Sequence, residues 1–191
     1  MLYNHSMKNE NYADKTAQNN KYAKRYRTNK YLILKIVGAV AVAAIALFLV
    51  SRFLIGVSAV SGDSMYPTYK SGQLVFYSRT DKSYEVGDVI AMNYLNGDFY
   101  IKRIVAVAGD TVDIRDGQVY VNDQLQSYGN GETAVVEGSG VTYPFTVSEG
   151  SVFVMGDNRG TKEDGSVCSV DSRTFGEVST SQLQGVILGG K

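Results

Sequence analysis

Histidine and cysteine are almost absent from this chain of 191 residues, which holds one of each. The single histidine, His5, lies in a polar N-terminal segment. A Ser-His-Asp triad or a Cys-His pair in the rest of the chain is thereby excluded, unless that segment folds back. The single cysteine, Cys168, allows no disulfide within the chain, and with one histidine it cannot complete a zinc site of the Cys/His kind. Only two prolines, Pro67 and Pro144, interrupt the whole sequence. Nothing in the composition calls for a metal or a cofactor, and no internal repeat is visible.

Charge balances overall, with nineteen basic and nineteen acidic side chains, but not locally. Residues 1–30 carry seven Lys/Arg against Glu10 and Asp14, whereas residues 56–191 carry ten basic and seventeen acidic groups. An acidic body repels phosphate, so a nucleic-acid partner is not expected. The basic tail could touch anionic lipid.

Residues 1–30 are polar, rich in Asn, Lys and Tyr, and read as disordered. The run Tyr31 to Val57, "YLILKIVGAVAVAAIALFLVSRFLIGV", is apolar on every face, which argues against a buried core helix. Lys35 and Arg52 lie near its ends, where long side chains snorkel to the interface, so the run reaches the ~20 residues that cross a bilayer. A cleavable secretory signal ending at "VSA", Val57 to Ala59, is the rival reading. The long basic region and Arg52 favour a retained anchor over 31–57. The basic excess before it predicts a cytoplasmic N-terminus and a body, 58–191, outside the cytoplasm.

Beyond Val57 the pattern changes to short apolar-polar alternations separated by turns. "QLVFYS", "DVIAMNY", "DFYIKRIVAVA", "SVFVMGD" and "QLQGVIL" predict strands, and Asn96-Gly97 and Asp116-Gly117 predict hairpin turns. No later segment has a convincing helical period. The fold class expected is mainly β, an antiparallel sheet that closes or half-closes, following one N-terminal membrane helix.

"SGDSMYPTY", Ser61 to Tyr69, places Ser64 among small and turn-forming residues just past the anchor. A serine hydroxyl attacks poorly until a base takes its proton, and histidine is not at hand. Lys102, in "FYIKRIVAV", is the candidate base. Strand alternation puts Tyr100, Lys102 and Ile104 on one face and Ile101, Arg103 and Val105 on the other. Apolar neighbours on both sides lower an ammonium pKa, and a shift of two units corresponds to about 2.7 kcal/mol. A neutral amine can then deprotonate Ser64, a known variant of the serine-base pair. The bland alternative is a solvent-facing edge-strand lysine.

The three segments "SGDSMYPTY", "YIKRIVAVAGD" and "GDNR…SVDSR", in this order after a membrane segment, resemble the sequence boxes of the type I signal peptidases (leader peptidases), in the single-anchor form of Gram-positive bacteria. The resemblance spans roughly residues 35–188. It implies a β fold and an endopeptidase that removes signal peptides from exported pre-proteins, contact with the secretion translocon, and a cell-membrane location. It implies Ser64 as nucleophile and Lys102 as general base. Met65 would help line the substrate site, and Ser169 would position the lysine amine. Asp171 and Arg173 would form a structural ion pair with Arg103 nearby, and Gly156, Asp157, Asn158 and Arg159 would open the last box.

Two departures from the family pattern stand out. Gly62 occupies the place where some members carry a serine hydroxyl for the oxyanion hole, leaving Ser61, or backbone and water, to serve. Nine residues, Gly160 to Cys168, separate "GDNR" from Ser169 where the family normally has two, and their composition suggests a solvated loop. Cys168 has no obvious activator and is not expected to be a nucleophile. The rival functions are a self-cleaving repressor, disfavoured by the anchor and the acidic body, and an inactive membrane-tethered assembly factor on the same fold, disfavoured by the presence of both Ser64 and Lys102.

Overall fold

A computed structural model describes residues 3–94 and 97–190. The chain divides into two compact units, residues 1–49 and 50–191.

The first unit is the greater part of one helix, α1, Tyr3–Phe53. Its stretch Asn29–Phe53 is long and apolar enough to cross a membrane, and none of its apolar window is buried. At 1.5 Å per residue it extends about 37 Å, against ~30 Å of bilayer hydrocarbon. The disorder expected over residues 1–30 is corrected here, because the helix starts at Tyr3. Neither proline nor glycine occurs before Gly38, and Lys, Arg, Ala and Gln favour helix, so a helix nucleated in the apolar run propagates back along the polar one. The opposite end is also corrected. The run read as anchor to Val57 leaves the helix after Phe53, and Ile55–Ala59 form strand β1.

The second unit is antiparallel β, as the alternation predicts. After β1 come β2 (Leu74–Ser78), β3 (Val89–Tyr94), β4 (Asp98–Val107), β5 (Thr111–Arg115), β6 (Gln118–Val121) and β7 (Gln124–Leu125). Then follow β8 (Phe145–Thr146), β9 (Ser151–Met155), a one-turn helix α2 (Ser172–Phe175), β10 (Val178–Ser179) and β11 (Leu183–Ile187). A seven-stranded sheet has the order β1-β2-β11-β3-β4-β9-β10, and a four-stranded sheet the order β7-β6-β5-β8. The order of the larger sheet is linear, so the sheet is open with β1 and β10 as its edges, rather than closed.

The β5–β6 turn is the hairpin expected at Asp116-Gly117, with φ of 49° and 72° at its two central residues. Glycine at the second of these avoids the Cβ strain that left-handed backbone imposes. In the predicted β3–β4 hairpin Tyr94 pairs with Asp98. Asn96 of that turn lies outside the described residues.

Strand β4 runs through the middle of the larger sheet, paired with β3 on one side and β9 on the other. Its alternating faces feed different cores. Ile101 packs with Val60, Met65, Tyr69, Val75 and Tyr77, whereas Ile104 joins Ile90, Met92, Val154 and Leu183. Val105 enters a third cluster, with Val112, Val119 and Phe153, which joins the two sheets. A strand buried on both faces holds any polar side chain it carries away from water, and that is the setting of Lys102 and Arg103.

Candidate active site

Ser64 lies in the turn-rich loop between β1 and β2. The loop is closed by the Tyr66 N–H donating to the Asp63 carbonyl (3.0 Å) and the Tyr69 N–H to the Met65 carbonyl (2.9 Å). It is fastened to the segment after β9 at two points. The Asn158 N–H donates to the Ser64 carbonyl (3.0 Å), and Asn158 Nδ2 to the Asp63 carbonyl (3.1 Å). The hydroxyl of Thr68 adds a bond to Asp157 Oδ2. Gly156 makes this approach possible. A Cβ there would overlap both Ser169 Oγ and the Ser64 carbonyl.

Lys102 is 2 % exposed. Its Nζ donates to Ser169 Oγ (3.1 Å) and lies 5.5 Å from the centroid of the Tyr100 ring. Burial pushes the amine pKa down to about 8, even though the Asp171 carboxylate pulls it up. The direction is the one expected from its strand neighbours, and the edge-strand alternative is excluded by the position of β4 inside the sheet. A cavity of about 530 Å³ is lined by Ser61, Gly62, Asp63 and Ser64 together with Tyr100 and Lys102. Asn158, Lys162, Cys168 and Val170 complete its wall.

Two buried ion pairs support these walls, and they are distinct. Arg173 and Asp171, both 0 % exposed, form a two-point contact of 2.9 and 3.0 Å. Asp171 also caps α2 through the Arg173 N–H and accepts from the Gly156 N–H (3.0 Å). Burial alone would raise the Asp171 carboxyl, but the hydrogen bonds and charge of Arg173 outweigh it and hold the carboxyl below its usual range. Arg173 Nη2 further donates to the Ser169 carbonyl (3.3 Å), so the pair clamps the segment whose hydroxyl meets Lys102.

Arg103 belongs to the second pair. Its Nε and Nη2 donate to Asp157 at 2.8 and 2.7 Å, and its Nη1 to the Gly87 carbonyl at 2.7 Å. The opposite faces of β4 therefore serve different tasks, with Lys102 toward the cavity and Arg103 toward the brace behind it.

Two residues of the first box sit differently. Met65 is 1 % exposed and packs with Val60, Tyr69 and Tyr77 in the core. Gly62 is on the wall, with φ of 77°, and its N–H donates to Ser71 Oγ (3.3 Å). Thr68, Lys162 and the Arg103–Asp157 pairing were not legible as site features. The pairing joins residues 54 apart in sequence, and no local pattern encodes it.

Arg173→Met would leave the Asp171 carboxylate buried without its cation. Breaking a buried pair from one side costs about 3–5 kcal/mol. Urea unfolding of the variant should show a loss of that size, roughly 10 °C in Tm for a domain this large. Adding Asp171→Asn, which removes the stranded charge but keeps an acceptor for Gly156, should restore part of it. A double variant no more stable than Arg173→Met alone would show that the charge is not what the pair compensates.

Comparisons with known proteins show the family of the chain. A family model described as "Signal peptidase, peptidase S26" matches residues 33–188. Signal peptidase I S of Bacillus subtilis (strain 168) is 34% identical over 145 residues, 69% of this chain and 77% of that protein. Signal peptidase IB of Staphylococcus aureus (strain COL) is 30% identical over 173 residues, 81% of this chain and 87% of that protein. The crystal structure of a signal peptidase I from Enterococcus faecalis V583 aligns with 32% identity and a TM-score of 0.42, covering 53% of this chain and 94% of that one. The chain belongs to the signal peptidase family, peptidase S26, the endopeptidases that remove signal peptides.

Proposed function

We propose that Ser64 is the nucleophile and Lys102 the general base in the removal of signal peptides from exported pre-proteins, on the outer face of the membrane. The observation that carries this reading is the single cavity shared by the Ser64 loop and a buried lysine amine. With its pKa near 8, an appreciable fraction of that amine is neutral at physiological pH. It takes the proton of Ser64 as Oγ attacks the scissile carbonyl, and the C–N bond then breaks with the ammonium returning the proton to the leaving amine. Water, deprotonated by the same amine, hydrolyses the acyl-enzyme and frees Ser64. Ser169, held from behind by Arg173, fixes where Nζ points. The oxyanion is served by backbone N–H groups of the Ser64 loop, with Ser61 on the same wall as a further donor.

Residues 31–57 act as anchor and entry strand, 1–30 stay in the cytoplasm, and the β domain is extracytoplasmic. The exposed apolar face of β1 and β2 supports contact with the bilayer. Val57 and Phe76 are register partners on that face, 56% and 50% exposed, with Leu74 beside them. The translocon is a further expected partner, since it delivers the substrate to that side.

The detergent-solubilised protein, given a pre-protein, should release a mature chain whose new N-terminus follows the signal peptide. Protease added to intact protoplasts should degrade the β domain. A protected β domain would reverse the topology, and an intact pre-protein would overturn the reading of the site.

A further inference from the structure

The segment Gly160–Cys168 is a closed hairpin rather than a loose loop. Thr161 and Val167 form a β-bridge, the Lys162 N–H donates to the Ser166 carbonyl (2.7 Å), and the Cys168 N–H to the Gly160 carbonyl (2.9 Å). At its tip the Gly165 N–H returns to the Lys162 carbonyl (3.0 Å), while Asp164 accepts from both the N–H and the hydroxyl of Ser166. The tip is exposed, but both ends are pinned, because Arg159 before it and Ser169 after it are buried.

The consequence is positional. The hairpin contributes Lys162 and Cys168 to the cavity wall that also carries Ser64 and Lys102. Lys162 is exposed. Among the described residues, it is the one cation on that wall apart from the buried Lys102, and the one anion is Asp63 on the Ser64 loop. A substrate lying in the cavity therefore meets a positive charge that comes from the inserted segment, with the Asp164 carboxylate of the hairpin tip interacting with it electrostatically.

We infer that Lys162 is a specificity-determining residue, which recognises a carboxylate side chain of the pre-protein within a few positions of the scissile bond. This rests on the reading of the cavity as the active site. An exposed charge pair contributes modestly, and about threefold in kcat/KM is the scale for one such contact. The interaction discriminates among substrates and does nothing to the reacting atoms.

The test uses the full-length protein in detergent and a panel of pre-proteins that differ only by Asp, Asn or Lys, placed in turn at each of the three positions either side of the cut. Dividing each rate by that of the Asn substrate cancels any general change in activity. The wild-type chain should prefer Asp over Asn about threefold at one or more positions. Lys162→Met should abolish that preference, and Lys162→Glu should replace it with a preference for Lys at the same position. Raising the salt concentration should shrink both preferences, since exposed charges are screened. Equal preferences in the wild type and Lys162→Glu would overturn the inference while leaving the active site intact. A wild-type chain that cut none of the panel would sink the active-site reading, and this inference with it.

Discussion

Lys102→Arg is expected to be as inactive as Lys102→Ala. Guanidinium keeps its proton at any pH the protein survives, so a variant that preserves the charge still cannot accept the proton of Ser64. On the proposed mechanism the working form in the wild type is the neutral amine. Its pKa is lowered to about 8 chiefly by burial, against the pull of Asp171. The sign follows directly. Below that pH the amine is protonated and idle, so kcat/KM should rise with pH, flatten above about 8, and fall roughly tenfold per unit on the acid side. Asp171→Asn removes a charge that favours the ammonium, so its profile should move to lower pH. An active Lys102→Arg enzyme, or a flat profile down to pH 5 with chemistry rate-limiting, would send the proton elsewhere.

Ser64→Ala should reduce pre-protein cleavage to background, a loss of at least about 10⁴-fold in kcat/KM, or roughly 5.5 kcal/mol of barrier. The fold should not suffer. The loop is held through the Ser64 carbonyl, which accepts from Asn158, and through Thr68, and alanine keeps the first and does not touch the second. Unfolding by urea and membrane association should match the wild type. Residual cleavage at the same bond would transfer the nucleophile's role to another hydroxyl of the cavity, with Ser61 the first to examine.

How much of this was legible in the sequence depends on how local the physics is. The period of two in "FYIKRIVAV" correctly separates the face of Lys102 from that of Arg103, because pleating is a property of the strand itself. Asp116-Gly117 announces its hairpin for the same reason, since the turn's backbone angles demand those residues. Strand β1 was hidden because "IGVSA" continues an apolar run and carries no boundary signal of its own. The helix before residue 30 has no apolar period to announce it, and only the absence of proline and glycine before Gly38 permits it to extend. Membership of Arg103 in a pair with Asp157 is set by the pairing of β4 and β9, and so is a fact of register. The hairpin at Gly160–Cys168 looked like a solvated insertion by composition, and its tip is one. That two of its residues reach the cavity is decided by Arg159 and Ser169 at its ends.

The pinch at Gly156 bears on when the protein becomes dangerous to its surroundings. The Ser64 loop is held by Asn158, and the Lys102 amine meets Ser169, whose own carbonyl is held by Arg173. The chain is synthesised from its N-terminus, so Ser64 and Lys102 are made long before the residues that hold them. Contacts between segments this far apart close late in folding. A nascent chain that has emerged only as far as β6 thus carries Ser64 and Lys102, the proposed nucleophile and base, without the parts that orient them. On the proposed mechanism, competence to cut arrives only with the last fifth of the polypeptide, which carries Asn158, Ser169 and Arg173.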